Sequence, residues 1–176
     1  RELRVRPGGQ SASTASGIEI SNVFGDGSLP VIPGFTTSSG VQTGRLFRDG
    51  QQRTCGSTHG GFSIFEWGGR NYEAYEFKAM KSECTFIDVT TPTYEHYIAI
   101  YHETFDPSNI VLNGYVEMGS SGTNQMSFNA IAGEKYIMVV SEVWGAGEGY
   151  LYTINITNVS AGNQEVVCNP IDVNLD

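Results

Sequence analysis

Apolar and polar residues alternate with a period of two along much of this chain. The clearest run is residues 149–157. There Tyr150, Tyr152, Ile154 and Ile156 occupy alternate positions, with Thr153, Asn155 and Thr157 between them. Successive side chains of a strand point to opposite faces, so the run predicts a strand with one apolar and one wet face. Residues 135–140, Lys-Tyr-Ile-Met-Val-Val, precede it across a glycine-rich turn. The two segments together read as a hairpin.

The same reading extends upstream. Residues 18–24 predict a strand anchored by Ile18, Ile20 and Phe24, and residues 41–47 predict another. Phe62, Ile64 and Glu66 continue a third, which the glycine pair in Trp67-Gly68-Gly69-Arg70-Asn71 turns into the next. Tyr75, Phe77 and Ala79 share one face of that next strand. Further strands are expected at 86–89, 97–101, 110–116 and around Met126, Phe128 and Ala130, separated by Asp106-Pro107-Ser108-Asn109 and Gly119-Ser120-Ser121-Gly122. No amphipathic helical stretch of useful length interrupts them. Eight to ten short strands at regular spacing indicate a sandwich or barrel. The expected core comprises Tyr75, Phe77, Ile98, Ile100, Met126, Phe128, Tyr150, Tyr152, Ile154 and Ile156.

The ends of the chain differ from its middle. Residues 1–17 are low in complexity and poor in large apolar groups, so alone they should be disordered. Residues 18–160 read as a single domain. Residues 161–176 form an extension in which Ile171, Val173 and Leu175 alternate strictly with polar residues, a spare strand beyond the end of the domain.

Composition narrows the class. The 176 residues are 39% hydrophobic and 16% charged, with a net charge of −9. That balance argues against nucleic acid, which requires a basic footprint, and against docking on anionic lipid. No apolar run approaches the ~20 residues of a membrane span. The chain begins at Arg1 with no initiator Met or signal peptide, and its composition looks exported. We therefore expect a processed, secreted, extracellular or cell-surface protein.

Catalytic chemistry is hard to find. His59, His96 and His102 come with no Ser-His-Asp order and no nucleophile elbow. Glu73, Glu76, Glu83, Asp88 and Glu95 cluster around the middle strands and read as a solvated face rather than a glycosidase pair. No cysteine spacing suggests zinc. We expect neither an enzyme nor a metal or other cofactor. Trp67, Tyr94, Tyr115 and Trp144 fall in or near loops, where rings can stack on sugars or anchor a protein. Asn155 and Asn158 begin glycosylation sequons, and alternation turns Asn155 outward.

Three cysteines leave one over if a disulfide forms. A hairpin about Gly69 would set residues summing to roughly 138 opposite one another. Continued outward, that register brings Cys55 near Cys84. The rival pair is Cys84–Cys168.

Several pieces together carry a resemblance. They are Tyr72-x-x-Tyr75-x-Phe77, the strand at 85–89, Ile98-Ala99-Ile100-Tyr101, Phe105-Asp106-Pro107, Ala132-Gly133-x-x-Tyr136-x-x-Val139-Val140 and Gly149-Tyr150-x-Tyr152-x-Ile154. In order and spacing, over about residues 41–157, this resembles the bacterial pre-peptidase C-terminal-like (PPC-like) domains of exported and cell-surface proteins. The resemblance implies a jelly-roll-like antiparallel β-sandwich and an accessory, adhesive or substrate-binding role. Some relatives bind calcium and collagen. Here the stretch after Phe-Asp-Pro reads Asn113-Gly114-Tyr115-Val116-Glu117, without the family's acidic run.

Two functions follow as expectations. One is a non-catalytic subunit of an extracellular filament or surface layer, its copies linked when a terminal strand carrying Ile18 and Ile20, or Ile171, Val173 and Leu175, joins a neighbour's sheet edge. The other is an accessory module that binds carbohydrate or protein.

Overall fold

The computed structural model describes residues 17–57, 61–91, 96–144 and 150–159. Among them are nine strands and no helix: β1 (Ile18–Val23), β2 (Thr36–Leu46), β3 (Ile64–Lys78), β4 (Cys84–Thr90), β5 (His96–His102), β6 (Gly114–Glu117), β7 (Gln125–Asn129), β8 (Lys135–Glu142) and β9 (Leu151–Ile156). They form two antiparallel sheets, ordered β1-β9-β4-β7 and β2-β3-β8-β5-β6. With β2 set aside, each sheet has four strands and most connections cross from one sheet to the other. This is the strand order of a jelly roll, with β2 added outside β3.

The core lies between the sheets. All ten residues expected there are buried. β4 alternates as its sequence does, with Thr85, Ile87 and Val89 buried and Phe86 and Asp88 exposed. β5 and β8 are buried on both faces, because loops cover the outer face of their sheet. Phe105 packs 4.7 Å from Tyr101 and 5.1 Å from Tyr72, Phe62 meets Tyr101 edge-on at 5.5 Å, and the Tyr101 hydroxyl donates to the Ile110 carbonyl at 2.8 Å.

Three expectations are corrected. Residues 135–140 and 149–157 are not a hairpin: β8 pairs with β3 and β5, whereas β9 pairs with β1 and β4 in the other sheet. Alternation fixes which face a strand buries and leaves its neighbour open. Residues 67–71 are not a turn either. β3 runs unbroken through them, with Gly68 at φ 116° inside the strand. Finally, β1 belongs to this chain's own sandwich. Ile18 sits opposite Ile156 and Ile20 opposite Ile154, with Ile20 fully buried. To serve a neighbour, that strand would have to leave the core. Ile171, Val173 and Leu175 lie outside the described residues.

Cys55 and Cys84 form a disulfide, their Cα atoms 5.9 Å apart. The hairpin used to pair them does not exist. Instead, the segment before Cys55 runs along the edge strand β7. Ser127 donates its N–H to the Arg53 carbonyl, and Asn129 donates its side-chain amide to the Cys55 carbonyl. β7 lies beside β4, where Asn129 faces Cys84. The two cysteines meet through β7.

Candidate recognition surface

β3 is long enough to leave the sandwich. Its residues 72–78 pair with β8 on one side and, up to Glu76, with β2 on the other, while residues 64–71 have β2 as their only strand partner among the described residues. The result is a two-stranded ribbon at one end of the molecule. Gly44 makes it irregular. Its φ is +86°, and a Cβ there would lie 2.4 Å from the Glu66 carbonyl oxygen. Only glycine fits, and the ladder shifts register on either side of Arg45. Such bulges re-aim side chains.

Arg45 is the centre of this region. Its side chain is 3% exposed, and its guanidinium carbon lies 4.4 Å from the Phe65 ring centroid and 5.5 Å from that of Trp144. Both rings are well exposed, at 58% and 61%, and Trp67, two residues beyond Phe65, is 71% exposed. Phe47 packs on Phe65 at 6.0 Å, and Arg48 reaches Trp144 at 5.9 Å. Val41 and Phe47 add exposed apolar surface.

The charges here are not balanced. Glu66 lies 3.9 Å from Arg45 and 3.1 Å from Arg70, a single carboxylate shared by two guanidiniums. Arg48 donates to the Ser121 hydroxyl. The Nε atoms of Arg45 and Arg70 are buried and have no hydrogen-bond partner. Burial, and then the like charge of Arg48, draws the Arg45 pKa below its usual value. Among the described residues, Arg45 and Arg70 share the Glu66 carboxylate and Arg48 stands against Trp144 nearby, a local cationic spot on a chain of net charge −9.

The buried carboxylates elsewhere are fully engaged. Glu73 was expected on a solvated face. It lies in the core, accepting from Asn22 Nδ2 at 2.9 Å, Gly25 N–H at 3.0 Å and the Tyr152 hydroxyl at 2.5 Å. Glu117 accepts from Arg53 at 2.6 Å and from the Tyr97 hydroxyl. Glu76 projects from the opposite face of β3 and pairs with Lys135 at 3.6 Å. Glu73 and Glu76 therefore do not face each other across a cleft. At the other end of β8, His102, Glu103 and Glu134 hold ligand-type atoms within 4.8 Å of one another. The His102 Nε2 lies 3.0 Å from Glu134. His59, Tyr94 and Glu95 lie outside the described residues.

No protein-family model matches this chain, and no curated protein matches it. The surface must be read from its own residues.

The candidate aromatics separate into two groups. Trp67 and Trp144 lie at the ribbon end, and Trp144 stacks on the arginines. Tyr115 is no rim residue. It lies in β6, packed 5.8 Å from Phe128 and 5.6 Å from Tyr136, and its hydroxyl donates to the Asn129 carbonyl at 2.7 Å. The sequons also separate. Asn155 is exposed on β9. Asn158 is buried and adopts φ 59°; its amide donates to the Lys81 carbonyl at 2.9 Å and the Thr85 hydroxyl at 3.0 Å, while its oxygen accepts from Lys81 N–H. It is not presented to a glycosylating enzyme. Arg45, Arg48, Phe65 and Arg70 were missed from sequence. The signal was present in Gly44-Arg45-Leu46-Phe47-Arg48 and Phe65-Glu66-Trp67-Gly68-Gly69-Arg70, two segments that mix rings with arginines around glycines.

Proposed function

We propose that this chain is a non-catalytic, exported recognition module that holds an extracellular glycan on the ribbon surface. One observation carries the reading: the Arg45 guanidinium lies against Phe65 and Trp144, rings that remain largely open to solvent, and Trp67, two residues along β3 from Phe65, is exposed as well. Exposed rings fixed on a strand pair offer flat faces to the apolar side of a sugar. A buried cation beneath them fixes their orientation. The disulfide is compatible with an oxidising, extracellular setting, and no described helix is long and apolar enough to cross a membrane. The resemblance to PPC-like modules points the same way.

The test is migration through native gels cast with dissolved polysaccharides. The intact protein should be retarded in at least one, and Trp67→Ala with Trp144→Ala should abolish retardation. Equal migration of both proteins in every gel would sink the reading.

A second reading keeps the filament subunit. Its motive is that β1 and β2 are outer strands of their sheets, edges that another strand can extend. The donor would be the segment containing Ile171, Val173 and Leu175. Sedimentation velocity on the intact chain and on residues 1–160 decides it: polymers only with the extension support it, and monomers in both cases remove it.

A further inference from the structure

The ribbon surface has a chemical sign as well as a shape. We propose that its ligand is an acidic glycan, a chain carrying carboxylate or sulfate groups, and that Arg70 and Arg48 bind those groups, with the buried Arg45 adding its charge from beneath the rings, while Trp67 and Trp144 stack on the adjoining sugar rings. This rests on the glycan-binding reading and adds the ligand's charge to it.

Arg45 and Arg70 both approach the same Glu66 carboxylate, at 3.9 and 3.1 Å. Their guanidiniums thus converge on one anionic group, and Glu66 is 47% exposed. Each arginine keeps a buried Nε donor with no acceptor. Buried donors are rarely left in that state, because each costs ~1–3 kcal/mol when unsatisfied. A guanidinium is built to grip a planar anion with two parallel bonds, and neither arginine has such a partner. Glu66 acts as an internal stand-in at the place where a ligand's anionic group would sit. Arg48, half-exposed beside Trp144, supplies a further cation, and among the described residues it has no ion pair.

Charge complementarity is selective here. At net charge −9, long-range forces repel a polyanion from most of this protein. An acidic chain held by it must be held locally, and among the described residues the ribbon sets Arg45 and Arg70 on one half-exposed glutamate with Arg48 close by, while Glu142 is buried on the Asn71 N–H. A sugar fits better than an acidic peptide because the rings stand open on a ribbon. Protein anchors usually fill a desolvated pocket, whereas an open ring serves as a stacking face.

The experiment compares polygalacturonate and chondroitin sulfate with dextran and xyloglucan, and with poly-glutamate as an acidic peptide. Retardation and Kd by titration calorimetry should favour the two acidic glycans, and binding should weaken as salt is raised. Arg70→Gln should weaken binding by about tenfold or more, as loss of a charge-assisted bond does. Arg48→Gln, in a loop outside both sheets, should weaken it in the same direction. Glu66→Gln should tighten it severalfold by freeing the Arg70 guanidinium and removing a competing negative charge. Equal binding to dextran and xyloglucan, unmoved by Arg48→Gln, would overturn the charge inference and leave glycan binding standing. Retardation by poly-glutamate but by no glycan would overturn both, in favour of an acidic protein partner.

Discussion

Residues 72–78 and residues 64–71 of β3 use the same kinds of side chain and put them in opposite environments. In the first stretch Tyr75 and Phe77 are buried between the sheets, and Glu73 accepts from Asn22, Gly25 and Tyr152. In the second, Phe65 and Trp67 stand in solvent, and Arg45 and Arg70 share one glutamate and keep unpartnered Nε donors. The difference arises from neighbours. The first stretch has β2 on one side, β8 on the other and a second sheet beneath it. Among the described residues, the second has β2 as its one strand neighbour. Polar groups closed off inside a core must be satisfied, because their cost is otherwise carried by the fold. Polar groups at the ribbon can remain short of partners when a ligand completes them. Stability should therefore reside in the sandwich and recognition in the ribbon.

The largest effect expected from that division is in the core. Phe128 is fully buried, 5.3 Å from Tyr136 and 5.8 Å from Tyr115. Phe128→Ala should cost about 3–5 kcal/mol, read as a lowered urea midpoint. A loss under about 1 kcal/mol would mean that the sandwich is not packed as described.

The disulfide comes next, and it separates a correct pairing from its reasoning. On a chain-entropy model, a closure across a separation of 29 residues stabilises by about 3–4 kcal/mol. Cys55→Ser with Cys84→Ser should lose most of that. Non-reducing peptide mapping should join Cys55 to Cys84, and a Cys84–Cys168 peptide would contradict the fold around β7.

Those two cases show what was legible in the sequence. Alternation placed the core because a half-buried strand exposes its period directly. It also suggested the strands at 18–24 and 86–89, close to β1 and β4. It misjudged connectivity, since crossing between sheets and turning within one leave the same local pattern. The Gly68-Gly69 pair read as a turn because glycines usually punctuate. In the fold, Gly69 instead lets Val41 approach, where a Cβ would come within 2.9 Å of the Val41 side chain. The ribbon's arginines were invisible for a related reason. The bulge at Gly44 breaks the period, and the packing of Arg45 against Phe65 and Trp144 joins residues 20 to 99 positions apart in the chain. Trp67 and Trp144 were legible as exposed rings because glycines flank them.

Alkali tests the satisfied side of the comparison. Burial raises the pKa values of Tyr75, Tyr97, Tyr101 and Tyr152 above the usual tyrosine value, and the Glu73 or Glu117 carboxylate raises those of Tyr75, Tyr97 and Tyr152 further. The folded pKa thus lies above the unfolded one near 10. The stability these phenols contribute is fully present below pH 10 and is lost as pH rises beyond it. Each adds a slope approaching ~1.4 kcal/mol per pH unit. The urea midpoint should fall steeply from pH 10 to 11, and four of the nine tyrosines should stay silent at 295 nm until the chain unfolds. A midpoint flat across that range, or nine phenols titrating together in the folded protein, would place these side chains at the surface.

The smallest expected effect on stability sharpens the comparison most. Trp67 is 71% exposed and Trp144 61% exposed, and neither contributes to the core between the sheets. Surface substitutions remote from packed or strained features usually change stability by no more than ~0.5 kcal/mol. Trp67→Ala should therefore leave the urea midpoint within that margin. Trp144→Ala should cost slightly more, because it also removes a ring from Arg45 and Arg48, a contact of ~0.5–1 kcal/mol at an exposed site. A ring kept in water gives up burial that would have stabilised the fold, so its position calls for another use. If the two tryptophan variants lose glycan retardation while their midpoints hold, the ribbon is a binding surface and the sandwich its support. If Trp67→Ala unfolds the chain as Phe128→Ala does, the ribbon is part of the core and the division between the two ends of β3 fails.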